Sequence, residues 1–79
     1  MNILRLKIAT QEYVSYSYFP EDKGVPGEIH MKIGDEKASV VSRAENDTDL
    51  GRYAHYAAKA IEELVERKRF PLEHTQAWG

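Results

Sequence analysis

The stretch LGRYAHYAAKAIEELV, residues 50–65, carries the clearest structural pattern of the chain, because its apolar side chains repeat with the period of an α-helix. At about 100° per residue they fall within a stripe about 120° wide. The stripe contains Leu50, Tyr53, Ala54, Ala57, Ile61, Leu64 and Val65, and the opposite side carries Arg52, His55, Lys59, Glu62, Glu63 and Glu66. The pattern predicts an amphipathic helix over about residues 48–69.

Both ends of this helix have sequence signals. Asn46, Asp47 and Thr48 are residues typical of helix N-caps. Pro71 ends the helix, because the residue before a proline disfavours helical geometry. Within the helix, Glu63 lies four residues from both Lys59 and Arg67, which predicts two stabilising ion pairs.

The sequence before the helix alternates apolar and polar residues with a period of two, as β-strands do. The alternation predicts strands at about residues 2–9, 13–19, 28–34 and 37–43. A break at Thr10 and Glu12 separates the first two, and one long bent strand is the alternative, because no glycine, asparagine or aspartate marks a turn there. The short turn at Gly34 predicts antiparallel pairing of the last two strands.

Strands followed by one helix predict a single α+β domain over residues 1–79. We expect an antiparallel sheet of three to four strands, with a single C-terminal helix packed on one face. The predicted core consists of Leu4, Leu6, Ile8, Val14, Tyr16, Tyr18, Ile29, Met31, Ile33, Val40 and the apolar helical stripe. The tail, residues 70–79, is predicted to be irregular, with Trp78 docked on the domain or in a pocket of a partner.

The composition limits the classes of function. The chain has 79 residues and no cysteine, so it has neither disulfides nor thiolate metal sites. A formal charge of −2 argues against a dedicated binder of duplex DNA. The N-terminus alternates charged and apolar residues and resembles neither a signal peptide nor a membrane span. These features predict a cytoplasmic protein without membrane attachment.

One helix covers one face of a sheet, so the other face, called here the open face, is the first place to look for binding. Its predicted residents include several cations but one acid, Glu28, which predicts a locally positive surface for an anionic or protein partner. The candidate binding residues are Arg5, Lys7, Tyr13, His30, Lys32 and Arg43. The alternative is a merely solvated face, since exposed strands carry cations that block aggregation. Tyr13 and Phe19 are the aromatics available there for stacking.

No pattern of catalytic or cofactor-binding residues occurs. The three histidines lack a second ligand at metal spacing, and no phosphate-binding glycine motif is found. Ser15, Ser17 and Ser39 could approach His30 across strands, but an open sheet offers no oxyanion hole. Gly51 is interpreted as a point of close contact between helix and sheet. The chain is therefore expected to need no metal or cofactor and not to be an enzyme.

These observations favour a small non-catalytic interaction module. It would bind a protein partner, or a second copy of itself, through the open face or an edge strand. The alternative is weak binding of single-stranded nucleic acid or another polyanion on the open face.

Overall fold

The computed structural model describes residues 1–77, which form an antiparallel sheet and a helix packed against one face of it. The strands are β1 (Asn2–Ala9), β2 (Tyr13–Pro20), β3 (Gly27–Lys32), β4 (Ser39–Ser42) and β5 (Glu73–Gln76), and the helix is α1 (Arg52–Arg67). The spatial order of the strands is β4-β3-β2-β1-β5. Because α1 leaves from the β4 edge and returns to the β5 edge, it has to cross the sheet.

The predicted α+β class with an antiparallel sheet is confirmed, but the predicted number of strands is wrong. The part of the chain that the structure describes forms five strands, and α1 lies before the last of them rather than at the C-terminus. The predicted break between the first two strands exists: the Thr10 hydroxyl accepts hydrogen bonds from the N–H groups of Glu12 and Tyr13, both at 3.1 Å. This side-chain turn replaces the missing glycine signal.

The sequence did not predict β5, because its residues are polar and half-exposed and so show no alternation of apolar and polar side chains. It pairs antiparallel with β1, from Asn2↔Gln76 to Arg5↔Glu73. A buried amide network attaches it to the helix: Asn2 donates to the Gln76 side chain at 3.2 Å, and Gln76 donates to the Tyr56 carbonyl at 2.9 Å. Backbone pairing and these amides, rather than apolar burial, define β5. The predicted docking of Trp78 falls outside the described residues.

The core lies between α1 and the facing side of β1, β2 and β3. Ten of the predicted core residues are buried there, namely Leu4, Val14, Tyr16, Tyr18, Ile29, Met31, Ala54, Ala57, Ile61 and Val65. Ile8, Ile33, Val40 and Leu50 were predicted to be buried and are exposed. Ile8 is exposed because the register shifts by one residue after Leu6, which places Ile8 beside Ser15 on the open face.

The start of α1 is fixed by a carboxylate that precedes the helix by several residues. Buried Asp47 accepts hydrogen bonds from the N–H groups of Tyr53 (3.2 Å) and Ala54 (3.0 Å). The same carboxylate accepts a hydrogen bond from the Tyr18 hydroxyl at 2.8 Å, and that hydroxyl accepts one from the Ala44 N–H at 2.9 Å. Asp47 therefore caps the first turn of α1, and a hydrogen bond from Tyr18 of β2 holds its carboxylate in place.

The interpretation of Gly51 as a close contact between helix and sheet is wrong. A Cβ atom at Gly51 would meet only Arg43 atoms, at an ordinary 3.7–3.8 Å. Its φ of +74° explains the glycine instead, because L-residues rarely adopt that conformation. The close contact lies at Gly27, where an added Cβ would come within 2.2 Å of the Tyr18 ring.

We expect Tyr18→Phe to lower the free energy of unfolding by about 1–3 kcal/mol, because it removes a buried donor to Asp47 and the acceptor of the Ala44 N–H. Urea denaturation followed by circular dichroism measures the change. Tyr13→Phe is the matched control, because within residues 1–77 the Tyr13 hydroxyl forms no hydrogen bond. Equal stability of the two variants would contradict this account of the helix start.

Candidate functional site

The open face collects five of the six candidate binding residues. Cross-strand pairing places Arg5 beside Ser17, Tyr13 beside Lys32 and Ser15 beside His30. Lys7 reaches the same face through its contact with Glu28, as described next. Arg43 does not lie there, because it follows β4 and turns toward the start of α1.

Of the three permanent cations on the open face, Arg5 and Lys7 form ion pairs with acids, whereas Lys32 forms none among the described residues. Arg5 contacts Asp22 at 3.3 Å and Glu73 at 3.1 Å, and Lys7 contacts Glu28 at 2.7 Å. Asp22 comes from the β2–β3 loop and Glu73 from β5, neither of which sequence periodicity placed on this face. The Arg5 guanidinium also lies 4.7 Å from the centroid of the Phe19 ring, covering an aromatic that was expected to be free for stacking.

A serine, a histidine and a glutamate also meet on the open face, but not in catalytic order. The buried Ser15 hydroxyl donates to Glu28 at 3.2 Å and lies 3.4 Å from His30 Nδ1. In a hydrolytic triad the imidazole lies between hydroxyl and carboxylate, whereas here the hydroxyl lies between the other two. The His30 ring also packs against Tyr13 with centroids 4.8 Å apart. The arrangement is a hydrogen-bonded surface cluster, in which the Lys7 ammonium lowers the pKa of Glu28.

A groove between β4 and α1 is the more distinctive surface. It has a volume of about 450 Å³, within the range of roughly 300–1,000 Å³ typical of ligand pockets. Its walls come from β4 with its flanks and from one stripe of the helix, and the lining residues are Lys37, Ala38, Val40, Arg43, Leu50, Gly51, Ala54, His55, Ala58, Lys59 and Glu62. The groove stays open because four of these residues are alanine or glycine.

β4 itself is an edge strand without cover. All four of its residues are exposed, including Val40 at 45% and Val41 at 59%. The strand pairs with β3 on one side, through a register shift between Glu28 and Ile29. Within residues 1–77 no strand pairs with its other side. Its outer N–H and C=O groups are therefore accessible to another extended chain.

Leu50 stands at the end of this groove in an unfavourable conformation. Its side chain is 97% exposed and its φ is +54°, a left-handed conformation that costs a residue with a Cβ atom roughly 1–2 kcal/mol. Glycine or asparagine would avoid most of that cost. Strained residues of this kind cluster at functional sites. Glu21, Asp22 and Lys68 also have a positive φ, and none of them lines the groove.

A second cavity, of about 660 Å³, lies on the same side of the molecule between the β3–β4 turn and the C-terminal half of α1. It shares Lys59 and Glu62 with the β4–α1 groove. Its apolar lining includes Met31, Ile33 and Val65, and its acids are Asp35, Glu36, Glu62, Glu63 and Glu66. The two neighbouring depressions thus differ in the sign of the charges around them.

Sequence reasoning missed most residues of the β4–α1 groove. Val40 and Leu50 were assigned to the core, and Lys59 was expected to pair with Glu63. The other predicted pair of the helix, between Glu63 and Arg67, is present at 3.1 Å, whereas no ion pair among the described residues involves Lys59. The small residues Ala54 and Ala58 were a signal, because alanines on a helix leave space where larger side chains would fill it.

Other classes of site gain no structural support. Across residues 1–77, no group of three or more histidine, aspartate or glutamate side chains is placed to hold a metal ion. The same residues contain no helix with the length and apolar character needed to cross a lipid bilayer. No protein-family model, curated protein or solved structure matches the chain.

We expect the pKa of Glu28 to rise toward its ordinary value in Lys7→Gln, because the hydrogen bond from Lys7 is the largest cause of its lowering. Carboxyl ¹³C chemical shifts followed against pH measure the change, with Lys32→Gln as the control. A carboxyl whose pKa is lowered by folding stabilises the protein above its unfolded pKa, and this contribution is lost as pH falls through the folded pKa. Unchanged titration of Glu28 in Lys7→Gln would show that the pair is not formed.

We expect Leu50→Asn to raise the free energy of unfolding by about 1 kcal/mol, since asparagine tolerates the left-handed conformation and little apolar burial is lost. Urea denaturation measures the difference. Leu72→Asn is the matched control, because Leu72 is also exposed but has no positive φ. A Leu50→Asn variant no more stable than Leu72→Asn would contradict strain at this position.

Proposed function

We propose that the chain is a small interaction module that binds an extended segment of a protein partner by strand addition at β4. The observation that carries the proposal is an uncovered edge strand with two exposed valines, lying beside a groove. In strand addition the main-chain hydrogen bonds provide affinity, while alternate side chains of the added segment enter pockets and provide specificity. The β4–α1 groove is placed to receive those side chains.

The opposite edge of the sheet offers a weaker site of the same type. β5 carries Glu73, His74, Thr75 and Gln76 and presents no apolar side chain. Gln76 is already engaged with Asn2 and with the Tyr56 carbonyl. The proposal therefore assigns the partner to β4 rather than to β5.

The open face also supports partner binding less well than β4 does. Its cations Arg5 and Lys7 are engaged by acids, and Phe19 is covered by Arg5. Binding of a polyanion there would require those ion pairs to be broken. Of the permanent cations on that face, only Lys32 forms no ion pair among the described residues, which gives the nucleic-acid alternative less support than strand addition at β4.

Selection from a phage-displayed library of random peptides tests the proposal without a known partner. We expect enriched peptides to slow hydrogen exchange of amides in β4, because the added strand covers an edge that is open in the free protein. Replacing Val40→Ser together with Val41→Ser should weaken those peptides by about tenfold, equivalent to about 1.4 kcal/mol of lost apolar contact.

Val25→Ser is the matched control, because Val25 is 64% exposed in the β2–β3 loop and is not among the residues that line the β4–α1 groove. Amide spectra confirm that each variant remains folded. The proposal is wrong if no peptide is enriched, or if enriched peptides leave β4 exchange unchanged and perturb Tyr13 and His30 on the open face.

A further inference from the structure

We infer that the occupant of the β4–α1 groove is an acidic extended segment of a partner protein, with an apolar residue as its anchor. This inference rests on the proposed strand addition at β4 and specifies the chemistry of what is added. Its basis is the set of charges that the fold leaves unpaired around the groove.

Three permanent cations surround the groove without an acidic partner. Lys37 precedes β4, Arg43 follows it, and Lys59 extends from the helical wall. Among the described residues none of the three takes part in an ion pair. The groove also contains His55, an exposed imidazole that adds positive charge when protonated.

The one acid that lines the groove is already engaged. Glu62 accepts a hydrogen bond from the Ala38 N–H at 2.9 Å, which ties the helix to the entry of β4. The Arg43 guanidinium donates to the Asp47 carbonyl at 2.6 Å, which fixes its position at one end of the groove without neutralising its charge. Glu62 likewise keeps its charge, so the carboxylates of an added segment would meet a groove lined by three permanent cations and one carboxylate.

The neighbouring cavity limits where an acidic segment can lie. Asp35, Glu36, Glu63 and Glu66 line that cavity, and their charges repel carboxylates. Lys59 stands at the boundary between the two depressions. An acidic segment is thus directed along β4 toward Arg43 and away from the C-terminal half of α1.

The apolar part of the groove requires an anchor. Val40 and Ala58 provide an apolar floor, and Leu50 presents an exposed side chain at one end. Because alternate residues of an extended chain point to the same side, an anchor that enters the groove leaves its neighbours free to contact cations outside it. The expected ligand has acidic residues flanking a leucine, valine, isoleucine or phenylalanine.

A second copy of the chain fits the same edge less well. In the antiparallel register that pairs the two Val40 residues, Lys37 of one copy would lie opposite Arg43 of the other. Like charges directly opposite each other in a sheet are destabilising. The cations that oppose self-pairing favour an acidic segment.

The sequences of the peptides selected from the random library test this inference directly. We expect acidic residues beside an apolar anchor, and affinity that falls as salt is raised, since exposed charges contribute. Lys37→Glu combined with Lys59→Glu should weaken these peptides by about tenfold, as measured by fluorescence anisotropy. Lys23→Glu combined with Lys32→Glu changes the net charge equally, away from the groove, and should leave affinity nearly unchanged.

The outcomes separate this inference from the proposed function. Enriched peptides that protect β4 but lack acidic residues, or that bind both double variants equally, overturn the acidic preference and leave strand addition standing. Absence of any peptide that protects β4 overturns both. Sedimentation that shows a concentration-dependent dimer, with β4 amides protected in the dimer, identifies a second copy as the occupant and overturns the inference. The selection and salt dependence use the unaltered protein, so they remain decisive if a variant does not fold.

Discussion

The buried hydrogen bond from the Tyr18 hydroxyl to the Asp47 carboxylate connects the sheet to the helix. Asp47 also accepts hydrogen bonds from the N–H groups of Tyr53 and Ala54 in the first turn of α1. The bond from Tyr18 therefore joins β2 to the start of the helix. Burial of the phenol raises the pKa of Tyr18 to about 12, so the hydroxyl stays protonated even in mildly alkaline solution. Gly27 allows the close approach of the Tyr18 ring. A shift of any of these groups would change the residue at which α1 begins. It would therefore also move the helical residues that line the β4–α1 groove.

The periodicity of apolar residues predicted the helix and the strands that have one face in the core. It failed where the position of a residue depends on backbone pairing instead. β1, β2 and the middle of α1 follow alternation or helical spacing, because each has one face in the core. Ile8 departs from this pattern because the strand register shifts after Leu6, and the hydrophobicity of the sequence does not reveal that shift. The strand at Glu73–Gln76 has no apolar signal, since its pairing with β1 depends on the main chain and on amide side chains.

The candidate site was harder to predict than the fold because ion pairing depends on loops. Arg5 lies on the open face as predicted, yet its partners Asp22 and Glu73 come from a loop and from β5, neither of which was predicted to lie there. Conversely, Lys59 has Glu63 four residues away, and this spacing predicts an ion pair that would neutralise the charge of the lysine. Because Glu63 pairs with Arg67, the charge of Lys59 remains without a partner on the groove side of the helix. Counting charges by face therefore does not show which cations keep an unpaired charge.

The features that protect β4 from aggregation are the same ones that select its partner in our proposal. The strand is short, has a register shift, and lies between Lys37 and Arg43, all of which discourage pairing with another copy. Protection alone does not account for Val40, Val41 and Leu50, since polar residues would protect an edge better. The β4 edge carries cations that repel a second copy of the chain, and it also exposes apolar side chains. Such an edge is suited to an acidic strand with an apolar anchor. Leu50 fits this proposal because its side chain is exposed at one end of the groove, where the apolar anchor of an added segment would contact it.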